Sequence, residues 1–171
     1  MTDFGTVRRD GDFGAVRFTR HYPVPPEELW SAWTEPDRIA RWLGAAVEGG
    51  PVVPGGSFAL VWPGDPAGAA DNRVDLVVRS LEPPTRLEWE WTIVGEPPTV
   101  LSVSLVAAGD GTDLVLDHRG LPLAQYAGLG AGWDAYLTGL AAHVGGDPAP
   151  DWDERFLALL PAYRERVAAL G

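Results

Sequence analysis

Val16, Phe18 and Arg20 alternate with Arg17, Thr19 and His21, the period of two that marks a half-buried strand. Pro23 ends that ladder because it has no N–H to donate. Pro25 and Pro26 then suit the entry of a helix, where their missing donors are not needed, and Glu27 and Glu28 set negative charge against its dipole. Leu29 and Trp33 share one face of this helix, with Trp30 beside them. A second short helix follows, with Thr34 as its cap, Pro36 at its start, Ile39, Trp42 and Leu43 as its apolar side, and Gly44 at its end. Isolated helices shorter than ~12 to 15 residues are marginal in water, so this pair must close against a larger body.

Beyond a Pro/Gly turn at 52–57 the period of two returns. Phe58, Leu60 and Trp62 begin one strand, a polar loop covers 63–72, and further strands are expected near 73–81, 86–94, 100–107 and 112–119. Their short connections imply antiparallel neighbours. Leu87, Trp89, Trp91 and Ile93 share one face, opposite Glu88, Glu90 and Thr92, so the first set should face the core. The same phase turns Leu76 and Val78, then Leu101, Val103 and Leu105, then Leu114, Leu116 and His118 inward. At the N-terminus, residues 3–8 (DFGTVR) are echoed by 12–17 (DFGAVR), and Asp10-Gly11 between them predicts a hairpin. The Asp-Phe-Gly triplets lack the glycine-rich loop and lysine strand of a kinase.

From Ala131 to Val144 the period becomes helical, with Trp133, Leu137, Leu140 and Val144 on one stripe. Gly145-Gly146 ends this helix, and Gly128 to Gly132 before it reads as a flexible entrance loop. Asp151 with Glu154 resembles a capping pair for a last helix carrying Trp152, Phe156, Leu159, Leu160, Tyr163 and Val167, which Pro161 should kink or divide. Together these elements predict an α+β fold in which a curved antiparallel sheet grips a long C-terminal helix. Residues 1–146 form the expected domain, and 147–171 a helical extension packing on it.

Composition narrows the functions. Among 171 residues, 46% are hydrophobic and 22% charged. No run of about 18 apolar residues and no charged-then-apolar leader is present, so the reading is a cytoplasmic chain of one domain. A net charge of -11 opposes binding to nucleic acid or an anionic membrane. Cysteine is absent, which removes disulfides, thiolate metal sites and cysteine nucleophiles. All 13 basic residues are Arg, so lysine Schiff-base chemistry is excluded. His21, His118 and His143 form no short ligand pair, and neither a metal nor another cofactor is expected.

Five stretches in order then carry a resemblance. They are Phe18-x-Arg20 before Pro25-Pro26-x-x-x-Trp30, Pro36 through Trp42, Gly55-Gly56-Ser57-Phe58, Thr112-x-Leu114-x-Leu116-x-His118, and Gly132-Trp133 opening the long helix. In these the chain resembles the START-like (SRPBCC) superfamily, and within it the homologues of the C-terminal domain of the activator of heat-shock protein 90 ATPase. The resemblance covers about residues 12–144. It implies the helix-grip fold and a cavity under the long helix, in a superfamily whose members include lipid carriers and polyketide cyclases.

The expected function is non-catalytic binding of a small, largely apolar molecule in that cavity. Trp62, Trp89, Trp91, Leu116, Trp133 and Leu137 are its candidate lining, each of the tryptophans being either pocket wall or core. His118 would orient a polar group, or transfer a proton if the pocket belongs to a cyclase or hydratase. Against that stands a core histidine held by the backbone. Arg20 would meet a ligand carboxylate, or else pair with an acidic neighbour. Glu88 and Glu90 are spaced like a carboxylate pair but lie on the solvated face. A protein partner, met through Trp152, Phe156 and the last helix, is the remaining alternative.

Overall fold

The computed structural model describes residues 4–50, 52–63 and 73–171. The loop expected at 63–72 lies, from residue 64 onward, outside the described residues, as does residue 3, the first of the N-terminal echo. In chain order the elements are β1 (Thr6–Asp10), β2 (Phe13–Tyr22), α1 (Pro26–Thr34), α2 (Pro36–Leu43), β3 (Ala46–Gly49), β4 (Ser57–Val61), β5 (Arg73–Glu82), β6 (Arg86–Ile93), β7 (Thr99–Ala108), β8 (Gly111–Pro122), α3 (Tyr126–Gly145) and α4 (Trp152–Ala168). The strands form one eight-stranded sheet in the order β1-β2-β8-β7-β6-β5-β4-β3. Every pairing is antiparallel.

Register carries one apolar row across the concave face. Val16 stands opposite His118, His118 opposite Leu101, Leu101 opposite Trp89, and Trp89 opposite Val78. All five are buried. The opposite face holds ion pairs instead: Arg8 and Arg17 on Asp117, Arg119 on Glu88, and Arg79 on Glu90. Glu88 and Glu90 are thereby partners of surface arginines on the solvated side.

α1 and α2 close one end. Their packing centres on Trp33, whose ring lies 4.7 Å from Trp42, 5.7 Å from Trp89 and 6.1 Å from Trp133. Trp42 Nε1 donates to the Ala32 carbonyl at 2.8 Å, fastening α2 to α1. α3 lies across the concave face and α4 packs against α3. No described helix is long and apolar enough to cross a membrane.

Four local points differ from the expectations or add to them. Thr34 is not the cap of α2; it ends α1, donating from Oγ1 to the Trp30 carbonyl at 2.8 Å, and Glu35 occupies the cap position without a side-chain bond to the helix it caps. β3, which pairs only with β4 at the sheet edge, was too short and too exposed to show a period. Gly128 to Gly132 is helix rather than loop, because α3 begins at Tyr126 after a short 3-10 turn. Intrinsic glycine propensity is overruled there by packing: a Cβ on Gly130 would come within 2.5 Å of the Tyr163 ring of α4. Finally, of the two outcomes expected at Pro161, division does not occur, and α4 runs through it as one helix. The carbonyl left without a donor belongs to Leu157, whose residue is 65% exposed, so water can reach that turn. At its start, Asp151 Oδ1 accepts from Glu154 N at 2.9 Å, the cap its sequence indicated.

Candidate functional site

Near the N-terminal half of α3 an apolar cleft of about 200 Å³ opens to the surface. Trp62 after β4 and Trp91 on β6 supply the sheet side, Gly128, Leu129, Gly132, Trp133 and Tyr136 the α3 side, and Trp152 at the start of α4 the remaining wall. The rings brace one another. Trp133 lies 5.5 Å from Trp91, Tyr136 lies 5.1 Å from Trp152, and Trp62 lies 6.2 Å from Tyr136. Trp62 is further pinned by donation from Nε1 to the Leu43 carbonyl at 3.0 Å. Burial pushes the Tyr136 phenol up, so it stays neutral, and no lining side chain carries a formal charge.

The expected lining therefore divides. Trp62, Trp91 and Trp133 line the cleft, whereas Trp89, Leu116 and Leu137 do not reach it and pack the core. Trp89 is enclosed by Trp33 and Phe58, so what lies directly beneath α3 at this point is side chain. Tyr136, Leu129, Gly128, Gly132 and Trp152 went unassigned to the lining. Tyr136 follows Trp133 by three, the helical spacing that places two rings on one face. Trp152 reaches the cleft only because the chain reverses between α3 and α4.

His118 lies fully buried directly behind the cleft wall. Trp133 Nε1–H donates to His118 Nδ1 at 3.0 Å, which leaves the ring proton on Nε2. From there Nε2–H donates to Thr99 Oγ1 at 2.7 Å, and the Thr99 hydroxyl passes its own proton to the Trp91 carbonyl at 2.9 Å. Both nitrogens are thus occupied by the protein. Burial lowers the His118 pKa to about 3, which holds the ring neutral at physiological pH. The histidine locks Trp133 and the backbone of Trp91 in position; it does not face the cleft.

Arg20 likewise meets a protein carboxylate where a ligand carboxylate was expected. Its guanidinium lies 3.6 Å from Asp134 of α3, which is 2% exposed. Arg155 approaches the other Asp134 oxygen at 3.7 Å, and Tyr163 OH donates to Asp134 at 2.8 Å. Gly5 N in turn donates to the Tyr163 oxygen at 2.8 Å. This buried cluster joins β2, α3, α4 and the segment leading into β1. The sequence offered no period to mark Asp134, because its partners lie far away along the chain. Among the described residues, no three His, Asp or Glu side chains stand together as metal ligands.

A curled antiparallel sheet closed at one end by two short helices and gripping a long one is the helix-grip, START-like architecture. Within that class, the chain belongs to the family described as activator of Hsp90 ATPase homolog 1-like protein, whose pattern it matches over residues 23–145. Solved structures agree on the fold. CalU16 from Micromonospora echinospora shares 26% identity at a TM-score of 0.74, covering 96% of each chain. The protein encoded by gene BPP1335 from Bordetella parapertussis shares 30% identity at a TM-score of 0.71, over 93% of this chain and 88% of that one. DynU16, a protein in the dynemicin biosynthetic locus, shares 28% identity at a TM-score of 0.68, over 81% of this chain and 49% of the other. No curated protein matches the chain closely enough to count as a relative.

Proposed function

We propose that the protein binds a small, largely apolar molecule in the aromatic cleft between α3, α4 and the β4–β6 edge, without transforming it. The observation that carries this reading is a solvent-open cleft walled by Trp62, Trp91, Trp133, Trp152 and Tyr136 with no charged side chain in it. The aromatic surface that the cleft leaves open gains by being covered, and four indoles braced by ring contacts lose little freedom when a ligand arrives. Binding ranks above proton transfer because both His118 nitrogens are already engaged by Trp133 and Thr99.

Gly128 supplies the test. It lines the cleft, and a Cβ built there meets nothing within 4 Å. Gly128→Leu therefore fills the cleft without disturbing the core, and it favours the helix. Calorimetric titration with naphthalene should show binding to the wild type and none to Gly128→Leu, while the variant melts at a higher temperature. Equal binding to both would remove the cleft as the site, and no binding to either would defeat the reading. Native mass spectrometry before and after organic extraction would show whether the purified chain already carries a molecule there.

A further inference from the structure

The aromatic cleft has a neighbour. A second open cleft, of about 280 Å³, has Arg41, Tyr136, His143, Asp147 and Trp152 in its lining. Tyr136 and Trp152 belong to both, so the ring pair is a shared wall between one apolar and one polar chamber. Neither chamber alone reaches the ~300 Å³ at which small-molecule sites usually begin, whereas a ligand lying across the shared wall would draw on both.

The polar chamber has a cationic corner. Arg41, in the last turn of α2, has no hydrogen-bond or ion-pair partner among the described residues, although most arginines of this acidic chain are paired. His143 stands in the same lining. Its Nε2 accepts from Arg38 Nε at 3.2 Å, so Nδ1 carries the proton and is a donor with no acceptor among the described residues. Arg38 is itself neutralised by Glu28 at 2.5 Å. Partial burial, then the charges of Arg38 and Arg41, lower the His143 pKa, with Glu28 opposing. Asp147 is the opposing carboxylate in the lining.

The geometry points to a ligand that is an organic carboxylate: an apolar body in the aromatic cleft, and an anionic end passing Tyr136 and Trp152 to reach Arg41 and His143 Nδ1. This rests on the reading of the aromatic cleft given above and adds the anionic end to it. A guanidinium beside an imidazole N–H is a suitable donor pair for a carboxylate, since charge-assisted bonds are roughly twice as strong as neutral ones.

Naphthylpropionate and its methyl ester separate the two ideas, because they share the apolar body and differ in charge. In calorimetric titrations the acid should bind the wild type about tenfold more tightly than the ester. Arg41→Gln should bring the acid down to the affinity of the ester, and Asp147→Asn should raise affinity for the acid. The imidazole signals of His143 should titrate at higher pH with the acid bound than with the ester bound. Acid and ester binding the wild type equally would overturn the carboxylate assignment and leave the aromatic cleft standing. A preference for the acid that survives Arg41→Gln, or a His143 titration indifferent to the acid, would also overturn it. Failure of both compounds to bind would remove the aromatic cleft, and the anionic end with it.

Discussion

Lowering the pH from about 7 to about 5 should destabilise this protein through one buried ring, His118. In the folded chain its pKa is about 3, because burial penalises the charged form. The unfolded chain takes up the proton near 6.5. Since the folded pKa is depressed, the unfolded state binds more protons between these values. Stability is therefore fully present above about pH 6.5 and falls as pH drops toward 3. The loss is about 1.4 kcal/mol per pH unit, or about 2 kcal/mol at pH 5, a large part of the 5 to 15 kcal/mol typical of a domain. His143 is lowered too and adds in the same direction, whereas His21 is raised by Asp113 and opposes it. Urea unfolding of the wild type and of His118→Gln at successive pH values isolates the term, because glutamine can satisfy Trp133 and Thr99 without titrating. The wild type should lose about 2 kcal/mol more than the variant between about pH 7 and 5. Parallel pH profiles would show that His118 is protonated within the fold, and would refute the sealed neutral ring behind the cleft.

Other outcomes follow from packing. Gly130→Ala should cost about 1 to 3 kcal/mol, because the new methyl meets the Tyr163 ring, while Gly128→Ala should gain up to about 1 kcal/mol from helix propensity alone. Thermal melts of the two variants side by side would check this, and equal shifts would remove the role of Gly130 in seating α4. Asp134→Ala should cost about 3 kcal/mol, since Arg20 and Tyr163 lose a buried acceptor together, with partial exposure of Arg155 limiting the loss. Urea midpoints read that directly, and a change under 1 kcal/mol would mean the cluster is fully solvated. Trp33→Ala should cost about 3 to 5 kcal/mol, as its ring touches Trp42, Trp89 and Trp133. Near-native stability in that variant would contradict a filled interior under α1.

The sequence by itself determined the sheet apart from its edge strand β3, its phase and the helix at its centre. Strands with a strict period of two must turn one face to the core, so Val16, Leu101, Trp89 and His118 were legible as inner residues before any coordinates. The stripe through Trp133, Leu137 and Leu140 declared a buried helix for the same reason. Tertiary structure decided what periodicity cannot carry. Whether an inward tryptophan is core or wall depends on what stands opposite it: Trp89 meets Trp33 and Phe58 and is sealed, while Trp91 meets Trp133 at an opening. Gly128 to Gly132 is helix despite the low helix propensity of glycine, and Gly130 leaves the space that the Tyr163 ring, more than thirty residues away along the chain, occupies. Arg20 found Asp134 and His118 found Trp133 and Thr99, pairings set by how α3 crosses the sheet. Local pattern reports which side of an element faces inward; only the packing of distant elements fixes which buried polar groups are satisfied, and so which surfaces remain for a ligand.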